Sequence, residues 1–301
     1  MTTLFTDLDN TLLYSHRHPA PGPVRWVEQL HGKPQGYLTK STYDFFLRQD
    51  WLSVVPVTTR TPAQFARLEG MIRPFGWRDA LVCNGAILLR DGREDPAWSA
   101  DSRTRAAGER PAFEAAYALA CAMVGADALV CVSPFLFYVK AQEPEAVLAA
   151  LLDQADTGRL TLLGDGRKVY CFPRSLDKGQ AVQRYRARFG RTASIAAGDS
   201  VFDLPMLEAV ERCFCPEAIA GQVANPNKTV CRDGPFSDLL CAGLEALRNE
   251  ETSIEKRARE VQRGGPALHP CAESYHRPVG DPGAAGGTLL PSPVPGGHHF
   301  R

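Results

Sequence analysis

Apolar residues in this chain come in short runs that stop at polar, chemistry-bearing positions. Leu4 and Phe5 lead into Thr6-Asp7-Leu8-Asp9, and Trp51 to Val57 runs into Thr58-Thr59-Arg60. Ala80 to Cys83 stops at Asn84-Gly85, and Ala193 to Ala197 stops at Gly198-Asp199. Such runs, bounded by turn residues, read as buried strands, whereas the spacing over Pro62 to Ile72 and from Lys178 through Phe189 reads as helical. Val24 to Leu30 and Gly36 to Thr39, joined by His31 to Gln35, read as a β-hairpin flap over the strand ends. More than ninety residues separate Ala86 from Lys178, far beyond a normal loop. They carry a helical pattern over Pro111 to Val124, strand-like Ala128 to Val132 and Phe135 to Val139, a helix from Pro144 to Gln154, and strands Arg159 to Leu163 and Lys168 to Phe172. This insertion reads as a small α+β module capping the rest.

The strand ends hold the chemistry. Residues two apart on a strand point to the same side, so Asp7 and Asp9 converge on one small volume. Their repulsion calls for a cation, and Mg²⁺ is the natural one, being held by one or two carboxylates plus substrate phosphate. One carboxylate is then free to attack phosphorus while the other handles protons. The same residues also read as a strand running into an Asp-Asn turn. Thr58, closing a strand that faces a helix start, suits an anion site. Lys178 opens an amphipathic helix, a place where a lysine is commonly a solvated charge, and Asp199 is followed four residues on by Asp203.

These four segments, in this order, resemble motifs I to IV of the haloacid dehalogenase superfamily of aspartate-nucleophile phosphohydrolases, over residues 1 to about 247. An insertion after the third strand resembles subclass IIB, which includes sugar phosphatases and phosphomannomutases. The resemblance implies an α/β fold, a Rossmann-like core with a parallel sheet and an inserted α+β cap domain. The expected division is core at 1–85, with the flap at about 14–39, cap at 86–173, core again at 174–247, and a charged helix-like segment with a Pro/Gly-rich tail at 248–301. It further implies Asp7 as nucleophile, Asp9 as general acid and base, Thr58 as a phosphoryl contact and Lys178 as the neutralising cation. Asp199 would bind Mg²⁺ with Asp7 and with Asp9 through carboxylate or backbone, and Asp203 is a ligand or a supporting residue. Thr59 stands where relatives often carry glycine, which leaves the choice between the two threonines open. Arg60 and Asn84 are substrate-side candidates, although Asn84 also reads as a turn residue and Arg60 as the partner of a surface carboxylate.

Composition narrows the picture modestly. A formal net charge of +0 over 301 residues shows no basic excess for nucleic acid, and no apolar run is long enough to span a membrane. Nine scattered cysteines fit reduced thiols, and the expected location is the cytoplasm. Cys213-Phe214-Cys215 reads as alternate residues of a buried strand, and Asn225 and Asn227 read as turn residues. Tyr14 to His18 forms a cationic loop near the nucleophile, and the tail from Gly264, dominated by Gly, Pro and Ala, is expected to be disordered. The leading expectation is a Mg²⁺-dependent phosphatase acting on a small phosphorylated metabolite such as a sugar phosphate. The alternatives are a sugar phosphomutase, which would lean on cap cations such as Arg103, Arg105, Arg110 and Lys140, and a phosphate-binding regulatory protein without turnover.

Overall fold

The computed structural model describes residues 1–17, 22–125 and 128–263. His18 of the cationic loop, and the tail from Gly264 with its paired histidines, lie outside the described residues.

From the amino end the chain forms β1 (Thr2–Thr6), β2 (Tyr14–Ser15), β3 (Val24–Leu30), β4 (Lys33–Thr39), α1 (Lys40–Arg48), β5 (Leu52–Pro56), α2 (Pro62–Ala66) and α3 (Glu69–Phe75). It continues with β6 (Asp79–Val82), β7 (Ile87–Arg90), β8 (Arg93–Glu94), α4 (Pro96–Arg105), α5 (Arg110–Val124), β9 (Leu129–Ser133), β10 (Leu136–Lys140) and α6 (Pro144–Gln154). Then follow β11 (Leu160–Asp165), β12 (Lys168–Pro173), α7 (Lys178–Phe189), β13 (Ser194–Ala197), α8 (Leu204–Glu208), β14 (Arg212–Pro216), α9 (Glu217–Ala220), β15 (Lys228–Cys231) and α10 (Phe236–Arg263).

Five of these strands make a parallel sheet in the order β15-β14-β13-β1-β5. The sheet is buried on both faces, as parallel sheets are. Leu4, Val54, Ile195 and Phe214 point into one cluster, where Phe45 and Phe46 of α1, Met71 of α3 and Leu240 and Leu244 of α10 cover them. Phe5, Val55, Ala196 and Cys213, each one residue away, point into the other, covered by Val182 and Tyr185 of α7 and Met206 of α8. β6 extends the sheet through a single parallel bridge, Val57 to Leu81, and then leads the antiparallel sheet β6-β7-β8.

The inserted residues form a second sheet, antiparallel in the order β11-β12-β10-β9, with α5 and α6 on one face. The architecture is α/β, with a parallel core and an α+β cap. Residues just past 86 pack with the core: Leu88 and Trp98 share a cluster with Phe5 and Val55. The antiparallel module begins after them.

Two expected elements differ in detail. The hairpin turns on His31 and Gly32 alone, both with positive φ (50° and 73°), the geometry of a type I′ turn. Lys33 to Gln35 therefore belong to β4 rather than to the connection. The helix expected over Pro62 to Ile72 breaks at Leu68, where ψ is 29°, and restarts as α3. A Cβ on Gly70 would come within 2.8 Å of Val27 Cα, so the break seats α3 directly on the flap strand β3.

Residues up to Thr252 form one compact unit and those from Ser253 belong to a second. α10 opens at Phe236, twelve residues before the expected charged segment at 248, because Phe236, Leu240 and Leu244 are buried in the core. The described residues of the second unit, 253–263, are helical. No helix among the described residues is long and apolar enough to cross a membrane.

The turn after β6 holds Cys83, Asn84 and Gly85 all at positive φ (51°, 58° and 90°), and a Cβ on Gly85 would lie 2.2 Å from Ala181 Cβ of α7. Gly85→Ala is expected to destabilise the protein by about 3 kcal/mol, combining overpacking with left-handed strain. Gly190→Ala, at φ 61° with open space around it, should cost only about 1 kcal/mol. Denaturant unfolding of the two variants measures the difference.

Candidate active site

The strands of the parallel sheet end at one edge, and the residues singled out in the sequence are presented there. Ala197 accepts the Asp7 N–H at 2.9 Å, which carries the β1–β13 pairing one residue past β1 and holds Asp7 beside the loop that contains Asp199. The chain then closes a single tight turn, with Leu8 C=O accepting from Leu12 and Leu13 N–H at 2.9 and 2.7 Å. That turn delivers the Thr11 hydroxyl to Asp199 Oδ1 at 2.9 Å.

Lys178 is the first residue of α7, whose start is capped by Asp177 accepting the Gln180 N–H. Its ammonium is 1% exposed and donates to Asp7 Oδ1 and to Asp203 Oδ1, both at 2.6 Å. Asp203 is fully buried, and its Oδ2 accepts from the backbone N–H of Asp199 and of Ser200 at 3.0 and 2.9 Å and from the Ser200 hydroxyl at 3.0 Å. Asp203 thus holds both the lysine and the loop carrying Asp199. Asp7, Asp199 and Asp203 each bring a carboxylate oxygen within 4.8 Å of the others. One oxygen of Asp199 is free of protein donors and Asp7 Oδ1 keeps a second lone pair beside Lys178, so this donor set fits a hard, oxygen-liganded ion such as Mg²⁺.

Asp9 does not join that cluster with its carboxylate. Arg60 grips it bidentately, Nε to Oδ2 at 2.8 Å and Nη2 to Oδ1 at 2.7 Å. The same guanidinium donates to Glu28 of the flap at 2.9 and 3.1 Å, and Arg67 closes the other side of Glu28 at 2.9 Å. Arg60 therefore pairs with two carboxylates, the half-exposed Asp9 and the buried Glu28. As a metal ligand Asp9 is left with its backbone. The sequence did not single out Glu28, since an acidic residue on a hairpin strand reads as a solvent-facing position, yet it is 3% exposed.

The threonines separate. Thr58 is buried and its Oγ1 accepts the Arg60 N–H at 3.2 Å, whereas Thr59 acts on the Tyr170 hydroxyl of the cap, countering the burial that pushes that group up. Asn84 donates to the Leu176 carbonyl at 3.2 Å, tying the β6 turn to the segment before Lys178, while its Oδ1 is buried without a partner. Asn225 serves its own turn, donating to Leu207 and Val210 carbonyls and accepting from Asn227 N–H. Of the cap cations, Arg105 and Arg110 pair along their own helices with Asp101 and Glu114.

Charge balance follows from these contacts. Burial raises the Asp7 carboxyl well above the usual range, against the pull of Lys178, with the charges of Asp203, Asp199 and Asp9 adding to the rise. Burial and the Asp203 charge push Asp199 up to about 7. Desolvation acts upward on Asp9 too, but the Arg60 hydrogen bonds and charge outweigh it and hold the group below the ordinary carboxylate value. Burial disfavours the Lys178 ammonium, yet Asp203 and Asp7 more than compensate and keep it charged.

Asp199 binds its proton more tightly folded than unfolded, so its contribution to stability is present below its ordinary value of 3.8 and lost as pH rises through about 7. Metal-free protein should therefore melt at lower temperature as pH rises across that window, and Asp199→Asn should remove part of the fall. Added Mg²⁺ should raise the native melting temperature at the upper end and leave the variant's nearly unmoved. Thermal unfolding across the range checks this, and equal pH dependence in both proteins would contradict it.

No protein-family model and no curated protein sequence matches the chain. Solved structures do. The sucrose-phosphatase from Synechocystis sp. PCC6803, solved with sucrose and phosphate, superposes with a TM-score of 0.54 at 17% identity over 82% of this chain and 97% of that one. A subclass IIB sugar phosphatase of the haloacid dehalogenase superfamily gives 0.58 at 12% identity, over 82% and 99%. The Thermoplasma acidophilum 0175 protein gives 0.53 at 11%, over 82% and 99%. At these identities the likeness speaks to architecture, and the chain has the fold of the haloacid dehalogenase superfamily with the capped arrangement of subclass IIB.

Proposed function

We propose that this chain is a Mg²⁺-dependent phosphatase that hydrolyses a small phosphorylated metabolite, of the sugar phosphate class, through an aspartyl-phosphate. The observation that carries the reading is the buried Asp7–Lys178–Asp203 arrangement, with Asp199 beside it, at the carboxyl edge of the parallel sheet. The substrate class rests on the two sugar-directed phosphatases that share the fold.

In this reading Lys178 occupies Asp7 Oδ1, which leaves Oδ2 for attack on phosphorus. The bond from phosphorus to the ester oxygen breaks, and that oxygen takes a proton from Asp9. Water then attacks the aspartyl-phosphate, giving its proton to Asp9 and releasing phosphate and free Asp7. Bound between Asp7, Asp199 and the Asp9 backbone, Mg²⁺ would supply the positive charge that lets two anions meet. Phosphoryl transfer asks mainly for positioning and charge compensation of this kind. Asp203 acts by holding Lys178 and the Asp199 loop in place. Gripped by Arg60, Asp9 is ionised, the form that activates water. The proton-donating half requires Asp9 to release Arg60 and take up a proton from water before the ester bond breaks, and the attacking water returns that proton in the second half.

Phosphate release from a panel of sugar phosphates should need Mg²⁺ and vanish in Asp7→Asn. Release surviving that substitution would overturn the aspartyl-phosphate route, and transfer back to a sugar in place of release would indicate a mutase. Asp9→Asn should slow alkyl phosphates by about 10²–10⁴-fold, the usual span of general acid catalysis. It should slow p-nitrophenyl phosphate much less, since that leaving group departs without a proton. Comparing kcat for the two ester types in native and variant enzyme measures this.

A further inference from the structure

Period-two alternation divides the cap sheet into two faces. Phe137, Val139, Val169 and Cys171 turn to α5 and α6. Leu136, Tyr138, Tyr170 and Phe172 form a separate cluster with Phe202, which belongs to the core loop between Asp199 and Asp203. Lys168 stands on this second face, two residues before Tyr170 on β12 and opposite Lys140 of β10, one step along from the Tyr138–Tyr170 pair.

The half-buried Lys168 lies over both rings, its Nζ 5.1 Å from the Tyr138 centroid and 5.7 Å from that of Tyr170, and donates to Tyr170 Oη at 3.2 Å. Phe202 meets the Tyr170 ring edge-on at 5.1 Å, so this face of the cap packs directly against the core loop between Asp199 and Asp203. The Lys168 charge reaches Asp9 and helps hold its carboxyl low. Among the described residues no carboxylate pairs with Lys168 within 4.0 Å. By contrast Lys178, the other lysine of the site, has two.

The geometry points to Lys168, backed by Tyr138 and Tyr170, as a subsite for a second anionic group on the substrate, carried by the part that leaves with the ester oxygen. This rests on the phosphatase reading above. Asp7 and Lys178 mark the phosphoryl position, and Asp9, the proposed proton donor, marks the side on which the ester oxygen departs. Lys168, on the cap face that packs against the Asp199–Asp203 loop, is placed to meet the part of the substrate that extends from the phosphoryl position. Aromatic rings stabilise an ammonium without neutralising it, so the charge stays available, and a charge-assisted hydrogen bond to an anion is stronger than one to a neutral hydroxyl. The flanking tyrosine rings present flat apolar surface to the carbon skeleton between the two anions.

The test uses glucose 6-phosphate, whose leaving group is neutral, 6-phosphogluconate, whose leaving group carries a carboxylate, and fructose 1,6-bisphosphate, which carries a second phosphate. Equilibrium binding is measured on full-length Asp7→Asn protein, alone and combined with Lys168→Met or Lys168→Arg, beside turnover by the native chain. At least one doubly anionic ester should bind about ten- to a hundred-fold more tightly than glucose 6-phosphate, the span expected of a charged hydrogen bond. Lys168→Met should erase the difference and Lys168→Arg should keep most of it. Preference for only one of the two esters identifies the anion as carboxylate or phosphate. No preference, or a preference that survives Lys168→Met, overturns the subsite. Absence of turnover with the binding pattern intact would sink the phosphatase reading and leave the subsite standing.

Discussion

The structure turns on one buried ammonium. Lys178 stands between two carboxylates, and neither it nor Asp203 has meaningful exposure to water. Removing one member of such a group strands an unpaired charge, at a cost of about 3–5 kcal/mol, so the three side chains constrain each other. Asp7 comes from the end of β1, Lys178 from the start of α7 and Asp203 from the start of α8. Their meeting requires that β1 sit beside β13 at the centre of the sheet, as it does. Parallel order brings the carboxyl ends of the strands to one edge, where open α/β sheets bind ligands.

From that centre, contacts spread through two neighbours. Asp203 passes the constraint to Asp199 through backbone hydrogen bonds and to the cap through Phe202, which meets Tyr170 edge-on at 5.1 Å and Phe172 at 6.2 Å. The cap therefore rests on the loop that presents the candidate metal ligand. Anything that shifts the antiparallel sheet against the core moves Phe202, and with it the spacing of Asp199 from Asp7.

The second neighbour is Arg60, which joins Asp9 at the strand edge to Glu28 on the flap. Glu28 lies between two guanidinium groups, so the buried carboxylate is fully compensated. The flap hairpin is thereby anchored by electrostatics at Glu28 and by the close approach of Gly70 to Val27. Its strand β3 reaches the site as a structural wall that orients Arg60, a role the hydrophobic pattern of the hairpin alone would not disclose.

Local features made much of this legible from the chain. Strand runs ending in Asp7, Thr58 and Asp199, the helix opening at Lys178 and the α+β insertion are written in period and punctuation, because burial on both sheet faces demands continuous apolar runs. The break at Leu68 and the early start of α10 were hidden, since each follows from what the helix packs against. Site chemistry divides in the same way. Asp7 was marked by its spacing from Asp9, and Lys178, Asp199 and Asp203 by the resemblance of their segments to known motifs, but the partner of each carboxylate was decided by tertiary structure. Asp9 went to Arg60 and Asp203 to Lys178. Thr11 belongs to the Asp-x-Asp-x-Thr pattern, whereas Glu28 on the flap and Lys168 on the cap stand in no motif that announces them. Spacing along a chain reports which side of a strand or helix a residue occupies, whereas ion pairing depends on separations of a few ångströms between elements distant in sequence, and only the packed fold sets those.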